Sequence, residues 1–283
     1  MTTDNLRIEQ RGAVTKVWID NITYDWTQWL LLRSDAHHDS LHCNRGLEKK
    51  HLDEAKAKDA LILDGGDLFD AMQGRFDPRR NLDDVRPEYK TSRYYDAILD
   101  DAVRYYRPYA DNWLLLAKGN HESSVYKNIN TDLTSRLQAG MGGKSVIGGY
   151  GGWVIFYFNA YHTRSSMKIK YFHGSGGEAP VTKGVIQTNR QAVYLPDANV
   201  VWNGHNHNEY TITQKRERIT TKGELYFDLC HFVRTPGYKD DYANGTGGWE
   251  VERGMMPKPQ GAVWLQLTLD HDRVKCKAIA DVE

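Results

Sequence analysis

The 283-residue chain has little cysteine, and its three cysteines, Cys43, Cys230 and Cys276, are far apart and form no C-x-x-C pair. This argues against a disulfide framework and against a zinc site built from cysteines. The chain also has no net charge, because 37 Lys and Arg balance 37 Asp and Glu. No overall field therefore favours nucleic acid or a membrane surface as a partner, and any polyanion must be held by local charge.

Long hydrophobic runs are missing as well. The first twenty residues carry acids and lack the apolar segment of a signal peptide, and no stretch approaches the roughly 18 apolar residues of a membrane span. These absences predict a cytoplasmic protein without a membrane partner. No repeat, low-complexity tract or linker divides the sequence, so we expect a single domain over residues 1–283.

Short apolar runs alternate with helical patterns in the first half of the chain. The runs "QWLLLRS", "ALILDGG" and "WLLLAKG" are typical of buried strands, whereas residues 45–58 and a tyrosine-rich stretch near 95–106 have helical periodicity. The second half is rich in strand-like runs such as "WVIFYFNA", "MKIKYF" and "NVVWN". This order predicts an α/β (α+β) protein in which helices cover two packed sheets.

Potential metal ligands follow five of the predicted strands. The motifs are, in chain order, Asp35-x-His37, Gly66-Asp67-x-x-Asp70, Gly119-Asn120-His121-Glu122, His173, and Gly204-His205-x-His207. The carboxyl ends of strands in an α/β sheet face a common crevice, so we expect these side chains to converge. Carboxylates, imidazoles and an amide oxygen suit Mn, Fe, Zn and similar ions, and a carboxylate can bridge two ions. The sequence therefore predicts a dinuclear site with net positive charge, which would attract phosphate.

Together these motifs resemble the signature of the calcineurin-like metallophosphoesterase superfamily over residues 35 to 207. The resemblance implies a four-layer αββα sandwich, with two mixed β-sheets flanked by helices. It also implies two divalent metal ions, for which we expect Mn²⁺, with Fe, Zn, Ni or Mg as alternatives. The implied ligands are Asp35, His37 and His207 for the first ion, and Asn120, His173 and His205 for the second, with Asp67 bridging both.

The same resemblance implies catalytic roles for two residues. His121 would protonate the leaving oxygen, and Asp70 would orient and charge His121. The chemistry supports this, because hydroxide attack on a phosphoester leaves an alkoxide that needs a proton. Asp70 could instead be a helix N-cap. His38 and Asp39 extend the first motif, and they either support a ligand by hydrogen bonding or form a solvated turn.

One departure from the superfamily bears on the substrate. Protein Ser/Thr phosphatases of the superfamily follow the G-D-x-x-D motif with Arg-Gly, whereas Ala71-Met72 stands at that place here. This argues against a phosphoprotein phosphatase. The "GGDLFD" block is more similar to that of DNA-repair nucleases and small phosphodiesterases. Other segments resemble phage-encoded members, in which case the protein would act in a host cytoplasm.

Local arginines could hold a nucleic-acid backbone. Arg75, Arg79 and Arg80 follow the second motif, and "QKRER" at 214–218 follows the last, although solvated surface is the alternative for both clusters. Arg234, Tyr238 and Lys239 are further candidates for a substrate-facing loop.

We therefore expect a hydrolase of phosphodiesters, with DNA or RNA ahead of cyclic or dinucleotide substrates. A phosphomonoesterase is the main alternative. A non-catalytic scaffold is less favoured, because such a protein would be expected to have lost ligands or His121, and all of them are present.

Overall fold

The protein was analysed as a computed structural model that describes residues 6–73, 77, 80, 84–160, 163–176, 182, 184–242, 249–252, 254–271 and 273–283. The strands are β1 (Arg7–Arg11), β2 (Val14–Ile22), β3 (Thr27–Arg33), β4 (Leu61–Asp64), β5 (Trp113–Leu116), β6 (Val146–Ile147), β7 (Gly151–Ala160), β8 (Arg164–Phe172), β9 (Val200–Asn203), β10 (Tyr210–Ile219), β11 (Leu225–Arg234), β12 (Gly261–Asp270) and β13 (Arg273–Val282). The helices are α1 (Arg45–Ala57), α2 (Tyr94–Tyr106), α3 (Asn120–Ile129), α4 (Leu133–Met141), α5 (Val185–Tyr194) and α6 (Trp249–Glu252).

The strands form two mixed sheets. One has the order β1-β2-β7-β8-β9-β11-β10 and the other the order β13-β12-β3-β4-β5-β6. Strands β3, β4 and β5 are parallel neighbours in the second sheet, and β8 and β9 are parallel neighbours in the first. Their carboxyl ends therefore provide adjacent loops in each sheet.

Three apolar cores separate four layers. The core between the sheets joins side chains such as Leu30 and Leu63 of the second sheet to Phe156 and Ile169 of the first. The opposite face of the second sheet packs on α1, α2 and α4, and Val201 and Phe232 of the first sheet pack near α5. The predicted αββα sandwich, with two mixed sheets flanked by helices, is confirmed.

The predicted elements occur where the apolar patterns placed them. Residues 45–58 correspond to α1, and the tyrosine-rich stretch forms α2, whose Ile98, Leu99, Ala102 and Tyr106 are buried. The short strand β1 and the helix α5 had not been predicted. Among the residues that the structure describes, no helix is long and apolar enough to cross a membrane.

Candidate metal centre

The five motifs converge at the strand ends. Backbone hydrogen bonds join their loops, from the N–H of Asp35 to the carbonyl of Gly66 at 2.9 Å and from the N–H of Gly204 to the carbonyl of His173 at 2.8 Å. The N–H of His205 donates to Oδ2 of Asp35 at 2.9 Å, which joins loops of the two sheets. The crevice is therefore held by main-chain contacts as well as by side chains.

Five of the predicted ligands have left-handed backbone conformations. The φ angles are 53° for Asp35, 47° for His37, 53° for Asp67, 74° for His205 and 52° for His207. Residues other than glycine rarely adopt such angles, and their clustering is typical of functional sites, where the surrounding structure imposes the strain. The left-handed conformations thus turn the backbone at each of these residues, so that their side chains meet in one crevice.

Asp35, His37 and His207 form the first group of potential ligands, with one ligand atom from each lying within 4.8 Å of the others. Nε2 of His37 and Nε2 of His207 are 3.2 Å apart, and Nε2 of His207 is 3.5 Å from Oδ1 of Asp35. That oxygen is buried and accepts no hydrogen bond within the part of the chain that the structure describes. These three residues are the ones that the resemblance assigned to the first ion.

Asp67, His173 and His205 form a second group with the same spacing. Nε2 of His173 is 3.0 Å from Oδ2 of Asp67 and 3.2 Å from Oδ1 of Asn120. The other nitrogen, Nδ1, is 3.0 Å from the carbonyl oxygen of Gly65 and donates to it, which leaves Nε2 as the potential ligand. All four residues assigned to the second ion or to the bridge are thus in one place.

The two groups lie close together, since Oδ1 of Asp35 is 4.0 Å from Nε2 of His173. Glycines allow this crowding. A Cβ atom at Gly119 would lie 2.0 Å from Oδ1 of Asp67, and one at Gly204 would lie 2.6 Å from Oδ2 of Asp35. A side chain at either position would displace a carboxylate of the site.

Asp70 contacts His121 through its backbone. The Nδ1 atom of His121 donates to the backbone carbonyl of Asp70, whereas Oδ1 of Asp70 lies 2.9 Å from Nδ1 of His37 and 3.1 Å from Nζ of Lys239. His121 thus meets the backbone of Asp70, whereas the carboxylate of Asp70 contacts the ring of His37. An N-cap role for Asp70 finds no support, since no described helix begins beside it.

A sixth loop, which follows β11, completes the crevice. A Cβ atom at Gly237 would lie 2.7 Å from the carbonyl oxygen of Asp35, and the N–H of Tyr238 donates to that oxygen at 2.9 Å. Nζ of Lys239 lies between Oδ1 of Asp70 at 3.1 Å and Oδ1 of Asp241 at 3.2 Å. Sequence reasoning offered Lys239 only as a substrate-facing candidate and missed Asp241, because neither residue is part of a ligand motif.

The buried carboxylates of Glu122 and Asp39 accept hydrogen bonds from backbone N–H groups in and beside the second motif. Glu122 accepts hydrogen bonds from the N–H groups of Asp67, Phe69 and Gly119 at 2.9 to 3.0 Å. Asp39 accepts from the N–H groups of Asp70 at 2.7 Å and Ala71 at 3.0 Å. Asp39 is thus a supporting residue, which agrees with the first of the two interpretations given to it.

His38 has a similar supporting position. Its ring is fully buried, with Nε2 3.2 Å from Oδ2 of Asp101 and Nδ1 3.2 Å from the hydroxyl of Tyr106. These contacts fix the segment between the first ligands and α2. The ring points away from both ligand groups and contacts none of their side chains in the described part of the chain.

The side-chain pKa values in the crevice are set by burial and by the pairing of carboxylates with imidazoles. Burial would raise the pKa of Asp35, but the neighbouring imidazoles of His207 and His173 lower it to about 2. Burial would lower the pKa of His173, but the charge of Asp67 and the hydrogen bond to it raise that pKa to about 10. Protons on the imidazoles thus compensate the carboxylates, and bound cations would replace those protons.

Burial and the neighbouring charge of Asp67 raise the pKa of Glu122 to about 7. Burial would lower the pKa of Lys239, yet the charges of Asp70 and Asp241 raise it. Lys239 is therefore a permanent cation in a crevice that otherwise holds carboxylates, imidazoles and an amide.

The residues present fit divalent metal ions. The donor set is the mixture of imidazole and carboxylate that such ions prefer, and Nε2 of His173 points at two acceptor oxygens. The buried Oδ1 of Asp35, which accepts no hydrogen bond from the described residues, is a further atom to which a cation could bind.

Those arginines considered for substrate binding that the structure describes are either exposed or paired with other residues. Arg75 and Arg79 lie outside the described residues, and Arg80 is exposed. In β10, Arg216 makes a two-point ion pair with Asp228 at 2.7 and 2.9 Å, and Arg218 donates to the carbonyl oxygen of Pro196 at 2.8 Å.

The other residues of the sixth loop also have structural partners. Arg234 is buried beneath the ring of Tyr210, at 4.8 Å from its centroid, and donates to Gln187 at 3.2 Å. The hydroxyl of Tyr238 is 2.9 Å from Nδ1 of His51. Lys239 reaches the predicted site through its side chain, whereas Tyr238 reaches it through its backbone N–H.

Comparisons with known proteins were made for the whole chain. No family model and no curated protein matches it. Solved structures that resemble it include a predicted phosphoesterase from Streptococcus pneumoniae, with 11% identity over 90% of each chain and a TM-score of 0.33. Another is vacuolar protein sorting 29 from Cryptosporidium parvum, with 13% identity over 92% of this chain and 100% of that one, and a TM-score of 0.36.

A third is GAP50, described as the anchor in the inner membrane complex of Plasmodium, with 11% identity, coverage of 90% and 84%, and a TM-score of 0.43. At these identities and scores the likeness by itself carries no functional argument. The resemblance to the calcineurin-like metallophosphoesterase superfamily rests on the five motifs, on the double sandwich and on the convergence of the motif residues.

Proposed function

We propose that the chain is a metal-dependent hydrolase of phosphodiesters, with DNA or RNA ahead of small cyclic or dinucleotides. The observation that carries the proposal is the presence, in one buried crevice, of two adjacent ligand groups, Asp35–His37–His207 and Asp67–His173–His205. Mn²⁺ is the ion that we expect to bind there. Action in a cytoplasm remains a prediction.

Two divalent ions, when bound, would polarise a phosphoryl oxygen and supply a hydroxide nucleophile at neutral pH. The protein contributes the placement of ligands and substrate. Asp35 and Asp67 together offset only part of the charge of two such ions, so the crevice would attract a phosphate group. The left-handed backbone at both aspartates and at His207 keeps these ligands in place before the substrate arrives.

His121 would donate a proton to the leaving oxygen. Its Nδ1 donates to the backbone carbonyl of Asp70, which fixes the orientation of the ring, and Nε2 would be the atom that transfers the proton. Nε2 is 3.8 Å from Oδ2 of Asp67, at the edge of the second ligand group. A phosphoester bound at the two groups would thus have its leaving oxygen on the His121 side.

The preference for phosphodiesters rests on the sequence. Ala71, which is buried, stands where the phosphoprotein phosphatases have an arginine, so this position supplies no cation to bind phosphate. The likeness of "GGDLFD" to the motif of nucleases and small phosphodiesterases favours the same class.

The first experiment is Mn²⁺-dependent cleavage of end-labelled single- and double-stranded DNA. We expect cleavage by the wild-type protein and loss to the background level for His207→Ala, because the first ligand group loses one of its three members. The variant also controls for a contaminating nuclease. If metal-loaded wild-type protein leaves both DNA forms intact, the nuclease proposal fails, and small nucleotides and phosphomonoesters become the substrates to screen.

A further inference from the structure

The crevice contains a third group of potential metal ligands. His37, Asp70 and His121 are all buried, and one ligand atom from each lies within 4.8 Å of the others, as in the first two groups. The group shares His37 with the first group, so the three sets are contiguous. Geometry alone would therefore allow a third ion beside the two that the proposed function requires.

The ammonium group of Lys239 distinguishes this third group from the others. Nζ lies 3.1 Å from Oδ1 of Asp70, and that same oxygen is 2.9 Å from Nδ1 of His37. The side chain of Lys239 is only 9% exposed, so water screens its charge poorly. A fixed cation thus sits against the carboxylate that a third metal ion would need.

The position of Lys239 is held by its backbone on both sides. The segment forms an isolated bridge with Cys43, and the carbonyl oxygen of Tyr238 accepts from the N–H of Asn44 at 2.7 Å. Asp241 holds Nζ from the side opposite Asp70, at 3.2 Å. The ammonium group therefore cannot leave the third group without disrupting these contacts.

We propose that Lys239 acts as a built-in cation that limits the crevice to two metal ions, by occupying the carboxylate of the His37–Asp70–His121 group. This inference rests on the proposed function. A divalent ion and an ammonium group so close together repel strongly in a crevice shielded from water. The exclusion keeps a metal ion off His121, so that the backbone carbonyl of Asp70 orients its ring for proton transfer.

The proposal predicts the sign of a substitution. Without the ammonium group, Asp70 and Asp241 would be left as buried carboxylates with no counter-charge from Lys239, which is a costly arrangement. A divalent ion bound by Asp70 and the neighbouring imidazoles would restore the balance. Loss of Lys239 should therefore add a metal ion, whereas a residue that merely supports the fold would on removal lower metal binding.

The test is a titration of metal-free protein with Mn²⁺ alone by calorimetry, with the bound metal then counted by elemental analysis after gel filtration. We expect two ions per chain for the wild type and three for Lys239→Met. Lys239→Arg keeps the charge and should bind two. Lys258→Met is the matched control, because Lys258 pairs with Glu250 at 2.7 Å and not with Asp70 or Asp241.

Each outcome decides a different point. Two ions with wild-type affinities in Lys239→Met, or fewer than two, would overturn the role of Lys239 and leave the proposed function standing. A wild type that binds no Mn²⁺ would overturn the proposed function itself. If Lys239→Met does not fold, Lys239→Gln takes its place. The wild type also gives an independent test, since uptake of a third ion at tenfold higher Mn²⁺ would contradict the inference.

Discussion

Two buried clusters of charged side chains lie next to each other in this protein, and they balance their charge differently. Behind the strand ends, Arg33 binds Oδ2 of Asp64 at 2.9 Å and Oε1 of Glu48 at 2.8 Å, and all three side chains are fully buried. In the crevice, Asp35 and Asp67 face imidazoles, and neither has an arginine or a lysine partner among the described residues.

The two clusters also differ in backbone conformation. None of the three residues of the Arg33 cluster has a positive φ, whereas five predicted ligands do. A cluster that carries its own counter-charge on relaxed backbone is typical of a structural role. The cluster in the crevice has a strained backbone, and its negative charge is balanced by protons on the imidazoles. Such a cluster is suited to bind cations from solution. We therefore assign a structural role to the Arg33 cluster and a functional role to the neighbouring ligand groups of the crevice.

The largest effect that would test this division is on catalysis. His121→Ala should lower the rate by about 10²- to 10⁴-fold on a diester with a poor alkoxide leaving group, the usual contribution of a general acid. The loss should be far smaller on a nitrophenyl ester, whose leaving group needs no proton. Steady-state kinetics on the two substrates measures this, and equal losses on both would remove His121 from the role of general acid.

The next effect is on stability. Arg33→Met leaves Glu48 and Asp64 buried without their cation and should cost about 3–5 kcal/mol in the free energy of unfolding. Asp35→Asn in metal-free protein should cost less than that, because the imidazoles that pair with Asp35 can release their protons when its charge is lost.

Denaturant unfolding of both variants without metal provides the comparison. Asp35→Asn should in addition lose Mn²⁺ binding, which Arg33→Met should retain if it folds. Equal destabilisation by the two substitutions would mean that the crevice is a closed structural cluster like that of Arg33.

The third effect is a pH dependence of stability in metal-free protein. The folded-state pKa of His173, about 10, lies above its ordinary value of 6.5, so the folded protein holds this proton more tightly than the unfolded chain does. The stabilisation is complete below pH 6.5 and is lost as the pH rises toward 10, with a slope of at most about 1.4 kcal/mol per pH unit.

Unfolding free energies measured between pH 6.5 and 10 test this slope. His173→Gln should flatten it, whereas substitution of the exposed His271 by Gln should leave it unchanged. Saturating Mn²⁺ should also flatten it, because a bound ion takes the place of the proton. A slope that persists in His173→Gln would assign the proton to another group.

The convergence of the motif residues could be predicted from the sequence because the motifs follow strand ends. Apolar runs locate β3, β4, β5, β8 and β9, and each motif follows its strand directly, so local pattern and global position coincide. The contacts behind the ligands could not be predicted. Lys239 and Asp70 are 169 residues apart, and no local pattern indicates that they meet.

The helix α5 was not predicted for a different reason. Its buried residues include the polar Thr188 and Gln191, while Val185, Ile186, Val193 and Tyr194 are exposed. The apolar periodicity that identifies a helix facing a core is thus absent from this segment. The side chain of Thr188 contacts the hydroxyl of Tyr210 at 2.9 Å, so polar contacts to β10 take the place of an apolar stripe.

The most direct test of the central claim is the crystal structure of the protein loaded with Mn²⁺, with the ions located by anomalous scattering. The account predicts two peaks, one among Asp35, His37 and His207 and one among Asp67, Asn120, His173 and His205. A crevice without peaks at saturating Mn²⁺, or ions bound only elsewhere on the protein, would contradict it.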